Sequence, residues 1–225
     1  MKKLTVRQPN RSVAVIGLGR FGRSLALELA SSGDVDVLGI DSDRGLVDEL
    51  STTLTHAVVA DSTREDALRQ LSVHEFDRAV VGIGSNLEAS ILTASLLVQF
   101  GIPHIWAKAI SEPHARILAQ IGVQHVTRPE YDMGLRIAHL VRGRMQDFIE
   151  FEEGFAMVKT VAPPGLVGRT LHEARVRADH RVTVVAHHRP GEPFTYATPD
   201  TLLQPGDVVI VSGATRDVER FSDLA

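Results

Sequence analysis

The run Val13-Ala14-Val15-Ile16-Gly17-Leu18-Gly19-Arg20-Phe21-Gly22 constrains this chain more than any other, because it joins an apolar strand to a helical pattern through a glycine turn. In that context a G-x-G-x-x-G spacing has a physical meaning. Gly17 permits the tight turn, Gly19 lets the backbone approach a phosphate, and Gly22 lets the helix pack close to the sheet. The free N–H groups at the helix start then face an anion that the helix dipole favours. Asp41 closes the next apolar run 19 residues after Gly22, where a carboxylate meets a ribose hydroxyl. A charge-assisted hydrogen bond of that kind contributes about 1.5–3 kcal/mol. Arg20, inside the loop, adds a full positive charge and a forked donor suited to a further phosphate; the alternative is a solvated surface arginine.

The rest of the first 127 residues keeps the same rhythm. Strands are predicted over 13–16, 35–40, 56–59, 78–83, 104–108 and 124–127, with helices over 20–31, 44–50, 64–71, 87–100 and 113–121. Continuous apolar strands imply burial on both faces, hence a parallel sheet between helices. The fold class is α/β, a doubly wound, parallel, Rossmann-like sheet. Ligands in such sheets sit beyond the carboxyl ends of the strands. After the third strand, Asp61 or Ser62 either caps the next helix or touches a base. After the fourth, Gly82-Ile83-Gly84-Ser85-Asn86 is small and polar, a wall for a ribose or phosphate or a loop ending in an Asn86 cap. Lys108 ends the fifth strand, where its ammonium reaches phosphates or stands on the surface. Phe100 and Trp106 read as core, and Phe21 packs under a ligand or against a partner chain.

Beyond Arg128 a helix is predicted over 132–148, with Ile137, Leu140, Val141 and Met145 along one side, as in a connector or subunit contact. Glu130 just before it complements a helix start. The character then changes. Short β-like runs at 155–161, 182–187, 194–197 and 208–211 are separated by Pro-Gly turns, with helices expected over 170–177 and 215–221. This describes a second, smaller α+β domain with its boundary near 150–154. The expected organisation is a nucleotide-binding domain over 10–130, a crossover helix or linker over 131–149 and a C-terminal domain over 150–225.

Composition narrows the function. A formal net charge of −4 argues against nucleic acid as a main partner. With no cysteine in the sequence, disulfides, thiolate catalysis and cysteine-based zinc sites are excluded. The amino terminus has no apolar core of signal-peptide length, and no stretch reaches the ~20 apolar residues of a membrane span. The expectation is a cytoplasmic protein that meets a membrane only through a partner.

Several segments together resemble the regulators of potassium conductance (RCK proteins), and more narrowly the cytosolic regulatory subunits of bacterial Ktr/Trk-type potassium uptake systems. They are 14–22, Ile83-Gly-Ser-Asn-Leu-Glu-Ala-Ser90, Ile105-Trp-Ala-Lys108, Pro129-Glu-Tyr-Asp-Met-Gly134, Leu166-Val-Gly-Arg-Thr-Leu171 and Leu203-Gln-Pro-Gly-Asp207. The resemblance implies a regulator without chemistry of its own. Its first lobe binds ATP, ADP or NAD(H), and its dimers form an octameric ring beneath a membrane-embedded potassium channel or transporter. It also implies that Arg20 reaches a nucleotide phosphate near the dimer seam. Glu130 matches a glutamate that helps hold Mg²⁺ or Ca²⁺ there, by hard oxygen chemistry. In some relatives the smaller lobe binds cyclic di-AMP. The matching segment here, 173–180, keeps Arg177 but carries Arg175 where close relatives carry asparagine. Arginine only donates where asparagine also accepts, which weighs against that ligand. On the residues alone two other readings stay open: an NAD-dependent oxidoreductase, with Asp179, His180, His187 and His188 as its acid/base candidates, and an NADH redox sensor unrelated to ion transport.

Overall fold

A computed structural model describes residues 12–151 and 154–225. The expectations for the amino terminus, for the start of the first domain at residue 10 and for residues 152–153 lie outside them. By its own contacts the chain divides into two compact units, the first ending at Glu130 and the second running from Tyr131 to Ala225.

In the first unit, strands and helices alternate as β1 (Ser12–Ile16), α1 (Arg20–Ser31), β2 (Asp36–Asp41), α2 (Arg44–Leu50), β3 (His56–Val59), α3 (Glu65–Gln70), β4 (Arg78–Val81), α4 (Leu87–Gln99), β5 (His104–Lys108), α5 (Glu112–Gln120) and β6 (His125–Thr127). The six strands form one sheet in the order β3-β2-β1-β4-β5-β6, and every pairing is parallel. The order reverses direction beside β1, with Ile16 level with Ile40 on one side and Val81 on the other. That is the switch point at which a doubly wound sheet opens a crevice.

Alternation of side chains across β1 feeds two cores. Val13 and Val15 join Ala26 of α1 and Val47 and Leu50 of α2 on one face. Ala14 and Ile16 join Leu68 of α3, Ala94 and Leu97 of α4 and Leu118 of α5 on the other. All five residues of β1 are buried, which is why a strand flanked on both faces reads as an unbroken apolar run. The six-stranded parallel architecture expected from the sequence is present, with element ends shifted by one or two residues.

In the second unit the order is α6 (Pro129–Arg142, its first two residues in the first unit), β7 (Met145–Glu150), β8 (Phe155–Val161), α7 (Val176–His180), β9 (Thr183–His188), β10 (Thr195–Tyr196), β11 (Val208–Ala214) and α8 (Thr215–Ser222). Five strands form an antiparallel sheet, β10-β9-β11-β8-β7. Val158, Val209 and Val211 pack against Val176, Val218 and Phe221 beneath it.

Two elements differ from expectation. The helix predicted over 132–148 stops at Arg142, and Met145–Glu150 is instead the edge strand of the second sheet. Phe148 is opposite Val158 and buried, and that hairpin pairing overrides the helical spacing of residues 137–145. The segment read as a connector therefore holds both a helix and a strand. The helix expected over 170–177 is replaced by a turn and the shorter α7. Thr170 N–H donates to Glu173 Oε2 (2.9 Å) and Glu173 N–H to Thr170 Oγ1 (3.2 Å), closing the turn on itself. Arg175 at φ +49° then breaks the helical path before α7 begins.

Candidate functional site

Ile16 ends β1 at the switch point, and its carbonyl accepts from Gly82 N–H (2.7 Å) while Gly17 N–H donates to Ile40 O (2.8 Å). These bonds pin the glycine loop between β2 and the end of β4. Gly17 adopts φ +93°, a region open mainly to glycine, and a Cβ there would fall 2.8 Å from the Ile83 nitrogen. A Cβ on Gly22 would fall 1.8 Å from the Gly17 carbonyl oxygen, and one on Gly82 2.8 Å from the same oxygen. Gly22 and Gly82 thus both crowd the Gly17 carbonyl. Gly82 opens the segment expected from the sequence as a wall of the site, and the structure gives it a packing role beneath the glycine loop. Gly19 differs from all of these, since a Cβ there would meet nothing within 4 Å. Its lack of a side chain is unneeded for packing and keeps the space above the loop open.

Gly19 is also the N-cap of α1, with no side-chain cap bond, and Arg23 N–H is the first to find its helical carbonyl, on Gly19. The N–H groups of the first turn are thereby left to the crevice. Around them lies a cavity of about 680 Å³, within the range of small-molecule sites.

Of the residues expected from the sequence, Gly17, Gly19, Arg20 and Phe21 line its floor, and Gly22 lies just behind, closing helix to strand. Asp41 lines the wall at the end of β2. Its Oδ2 accepts from Leu18 N–H (2.6 Å) and its Oδ1 from Asp43 N–H (2.9 Å), so it braces the glycine loop as well as facing the crevice. Asp61 and Ser62 line the next wall, but neither caps α3, whose N-cap is Arg64. Asp61 Oδ1 instead accepts from the Thr63 amide (3.0 Å) and hydroxyl (2.6 Å), and the hydroxyl bond, then the amide, holds its carboxyl below the ordinary range. The Ser62 hydroxyl turns inward to a buried 2.8 Å bond with Thr93, so Ser62 offers the cavity backbone rather than side chain.

Ile83, Gly84 and Asn86 form the opposite side. Asn86 Oδ1 accepts from Ala89 N–H (3.0 Å) and caps α4 at the cavity edge. Lys108 closes the far end. Its Nζ donates to Glu130 Oε1 at 2.5 Å and lies 5.8 Å from the Phe21 ring centre. The bond to Lys108 holds the Glu130 carboxyl below its ordinary range, with a smaller contribution from the Arg20 charge. Arg20 of α1 and Lys108 of β5, the helix start and two glycine turns therefore define an anion-binding end, while Asp41, Asp43 and Asp61 line the other.

The second unit has its own cavity of about 450 Å³, with Arg175 and Arg177 on its rim. Among the described residues no three His, Cys, Asp or Glu side chains gather as a metal site, and no helix is long and apolar enough to cross a membrane.

Known proteins resemble this chain in sequence and fold. Residues 13–129 match the TrkA-N domain model and residues 155–225 the TrkA-C domain model. The chain is 38% identical to the Ktr system potassium uptake protein C of Bacillus subtilis over 212 residues, covering 94% of this chain and 96% of that protein. It is 34% identical to the Ktr system potassium uptake protein A of Vibrio alginolyticus, covering 91% and 93% of the two chains. Among solved structures, the GsuK channel superposes with a TM-score of 0.66 over 96% of this chain and 39% of the other, at 15% identity, a likeness of fold. The TrkA-N domain of the Escherichia coli inner membrane protein ybaL superposes at 0.51 with 25% identity, over 60% of this chain and 99% of that domain. Two matched domain models and near-complete coverage of the Ktr relatives place this chain in the TrkA-N/TrkA-C family of Ktr- and Trk-type potassium uptake proteins.

Proposed function

We propose that this chain is the cytoplasmic, nucleotide-binding regulatory subunit of a potassium uptake system, acting on a membrane-embedded channel or transporter subunit rather than catalysing a reaction. The observation that carries this reading is the first-unit cavity, in which the glycine loop, Asp41 and the Arg20–Lys108 end are arranged for an adenosine polyphosphate. Kinship with the Ktr proteins favours it over an oxidoreductase or a redox sensor. In this reading the pyrophosphate lies on Gly17, Gly19 and Gly22, Asp41 takes the ribose, and Asp61, Ser62, Ile83, Gly84 and Asn86 wall the nucleoside. ATP and ADP differ only in the terminal phosphate, so only residues that touch it can shift a conformational equilibrium between them. Arg20 is one such residue. NAD(H) fits the same loop, and a related solved channel is described as bound to NAD.

Copies of the chain associate, in this reading, through α6. None of its residues is buried, and Tyr131, Met133, Leu135, Ile137 and Val141 are exposed on it. Dimers built on that helix are the units of a ring beneath the membrane partner. A Mg²⁺ or Ca²⁺ at Glu130 would find one carboxylate here, so its remaining oxygens would come from phosphates or a second protomer. In this reading residues 10–130 form the nucleotide-binding domain and 150–225 the C-terminal domain, joined by 131–149; the matched family models span 13–129 and 155–225.

Calorimetry with ATP, ADP and NADH tests the reading. Both adenosine phosphates are expected to bind, and Arg20→Ala to weaken ATP more than ADP. Equal losses remove Arg20 from the switching role, and absence of binding by either phosphate removes the reading itself. Potassium uptake by cells carrying the membrane subunit should fall when this chain is deleted.

A further inference from the structure

Lys108 and Glu130 are unequal partners. The Lys108 side chain is 12% exposed, whereas that of Glu130 is 66% exposed. The lysine is held in a slot: Phe21 lies on one side, and a Cβ on Gly84 would come within 3.3 Å of its ammonium. It stands on the end of a central strand, level with Thr127 of β6. Glu130 is the second residue of α6 and lines the cavity with most of its side chain open to solvent. The cation is therefore fixed and the carboxylate movable. Both line the same cavity as the free first turn of α1 and Arg20. A carboxylate presented to a lysine at the anion-binding end of a crevice offers anionic oxygens to the donor that a phosphoryl group would use.

From this we infer that Glu130 is a built-in occupant of the phosphate end: in the free protein it neutralises Lys108, and the outermost phosphoryl group of a nucleotide takes its place. The inference rests on the nucleotide reading above and adds a competitor to it. Lysine has three donors, so hydrogen bonding alone would allow both guests. Charge does not, because a carboxylate and a polyphosphate on one ammonium repel one another. Exchange therefore grows more complete with each negative charge on the ligand. It also has a structural consequence. The ion pair ties the end of β5 to the first turn of α6, and the phosphate releases that tie at the helix carrying the exposed apolar stripe.

The test is binding of adenosine, ADP and ATP, in EDTA to remove divalent cations, to the wild type, Glu130→Gln, Lys108→Gln and the double variant. Glu130→Gln removes the competing charge at an exposed position while keeping its shape. It is expected to tighten ATP and ADP about fivefold, equivalent to about 1 kcal/mol, and to leave adenosine unchanged. In the Lys108→Gln background the same substitution should have no effect, the signature of a direct coupling. ATP affinity unchanged or weakened by Glu130→Gln overturns the inference, as does equal tightening of adenosine. A wild type that binds ATP while Glu130→Gln behaves identically overturns this inference alone. A wild type that binds no nucleotide overturns the nucleotide reading with it. Should Lys108→Gln fail to fold, as judged by circular dichroism, Lys108→Arg replaces it; retained tightening by Glu130→Gln in that background supports the exchange and its absence refutes it.

Discussion

Gly19 and Gly22 lie three residues apart at the start of α1, yet their substitution by alanine should separate binding from folding. At Gly22 an added Cβ would sit 1.8 Å from the Gly17 carbonyl oxygen, and real Cβ atoms essentially never approach closer than 3.0 Å. The loop or helix α1 must therefore retreat by about 1.2 Å, and neither side of the clash is a flexible side chain. The Gly17 carbonyl cannot yield toward β4, because the Gly82 backbone already crowds it. Withdrawing α1 loosens Ala26 from the β1 face. Overpacking of this kind costs about 3 kcal/mol, which for a unit of this size lowers Tm by about 10 °C. At Gly19 the added methyl meets nothing within 4 Å, and the residue has φ −59°, ordinary for alanine. Reduced freedom of the unfolded chain then makes Gly19→Ala neutral or stabilising by about 0.5 kcal/mol. The methyl projects into the space the loop keeps for phosphate, so ATP affinity should fall at least about tenfold, equivalent to about 1.4 kcal/mol. Urea unfolding measures the first quantity and calorimetry the second. If Gly19→Ala binds ATP as the wild type does, the phosphate does not lie on this loop; if Gly22→Ala melts with the wild type, the close-packing argument is wrong.

Other expectations follow from single contacts. Ser62→Ala strands the buried Thr93 hydroxyl and should cost about 1–2 kcal/mol in urea unfolding, most of it recovered in the Ser62→Ala/Thr93→Val double variant. The Glu130 carboxyl is held below its ordinary 4.5 first by its bond to Lys108. The stabilisation is thus present above that ordinary value and lost as pH falls through the lower folded one. Thermal melts of wild type and Glu130→Gln should run parallel above the ordinary carboxyl value and converge as pH falls through the lowered folded one; divergence on acidification reverses the sign of the argument. Arg175 stands at φ +49°, and asparagine tolerates that region better than arginine, so Arg175→Asn should raise Tm by about 1–3 °C. Cyclic di-AMP should produce no comparable shift in the wild type, a point the same melts decide.

The first unit was largely legible from the chain alone, and for a local reason. Strands buried on both faces must be apolar at every position, so β1, β2 and β4 announce themselves as runs such as Val13-Ala-Val-Ile16. Gly17 and Gly22 mark their turn because only glycine tolerates the positive φ at one and the carbonyl at the other. The Asn86 cap is also a matter of short spacing, and Asp41 is marked by closing the strand that follows the glycine loop and its helix. What spacing could not disclose were the pairings between separate segments. Residues 145–150 carry enough helical periodicity to pass for the end of α6, and only Val158 opposite Phe148 makes them a strand. Ser62 is a capping residue by neighbourhood and a buried partner of Thr93 by fold, 31 positions away. Lys108 and Glu130 are 22 residues apart and meet because β5 and β6 lie side by side in parallel register. Backbone preference and hydrophobic period act over a few residues and so are written in the chain; which charge meets which is decided by sheet order, and that exists only once the whole unit has closed.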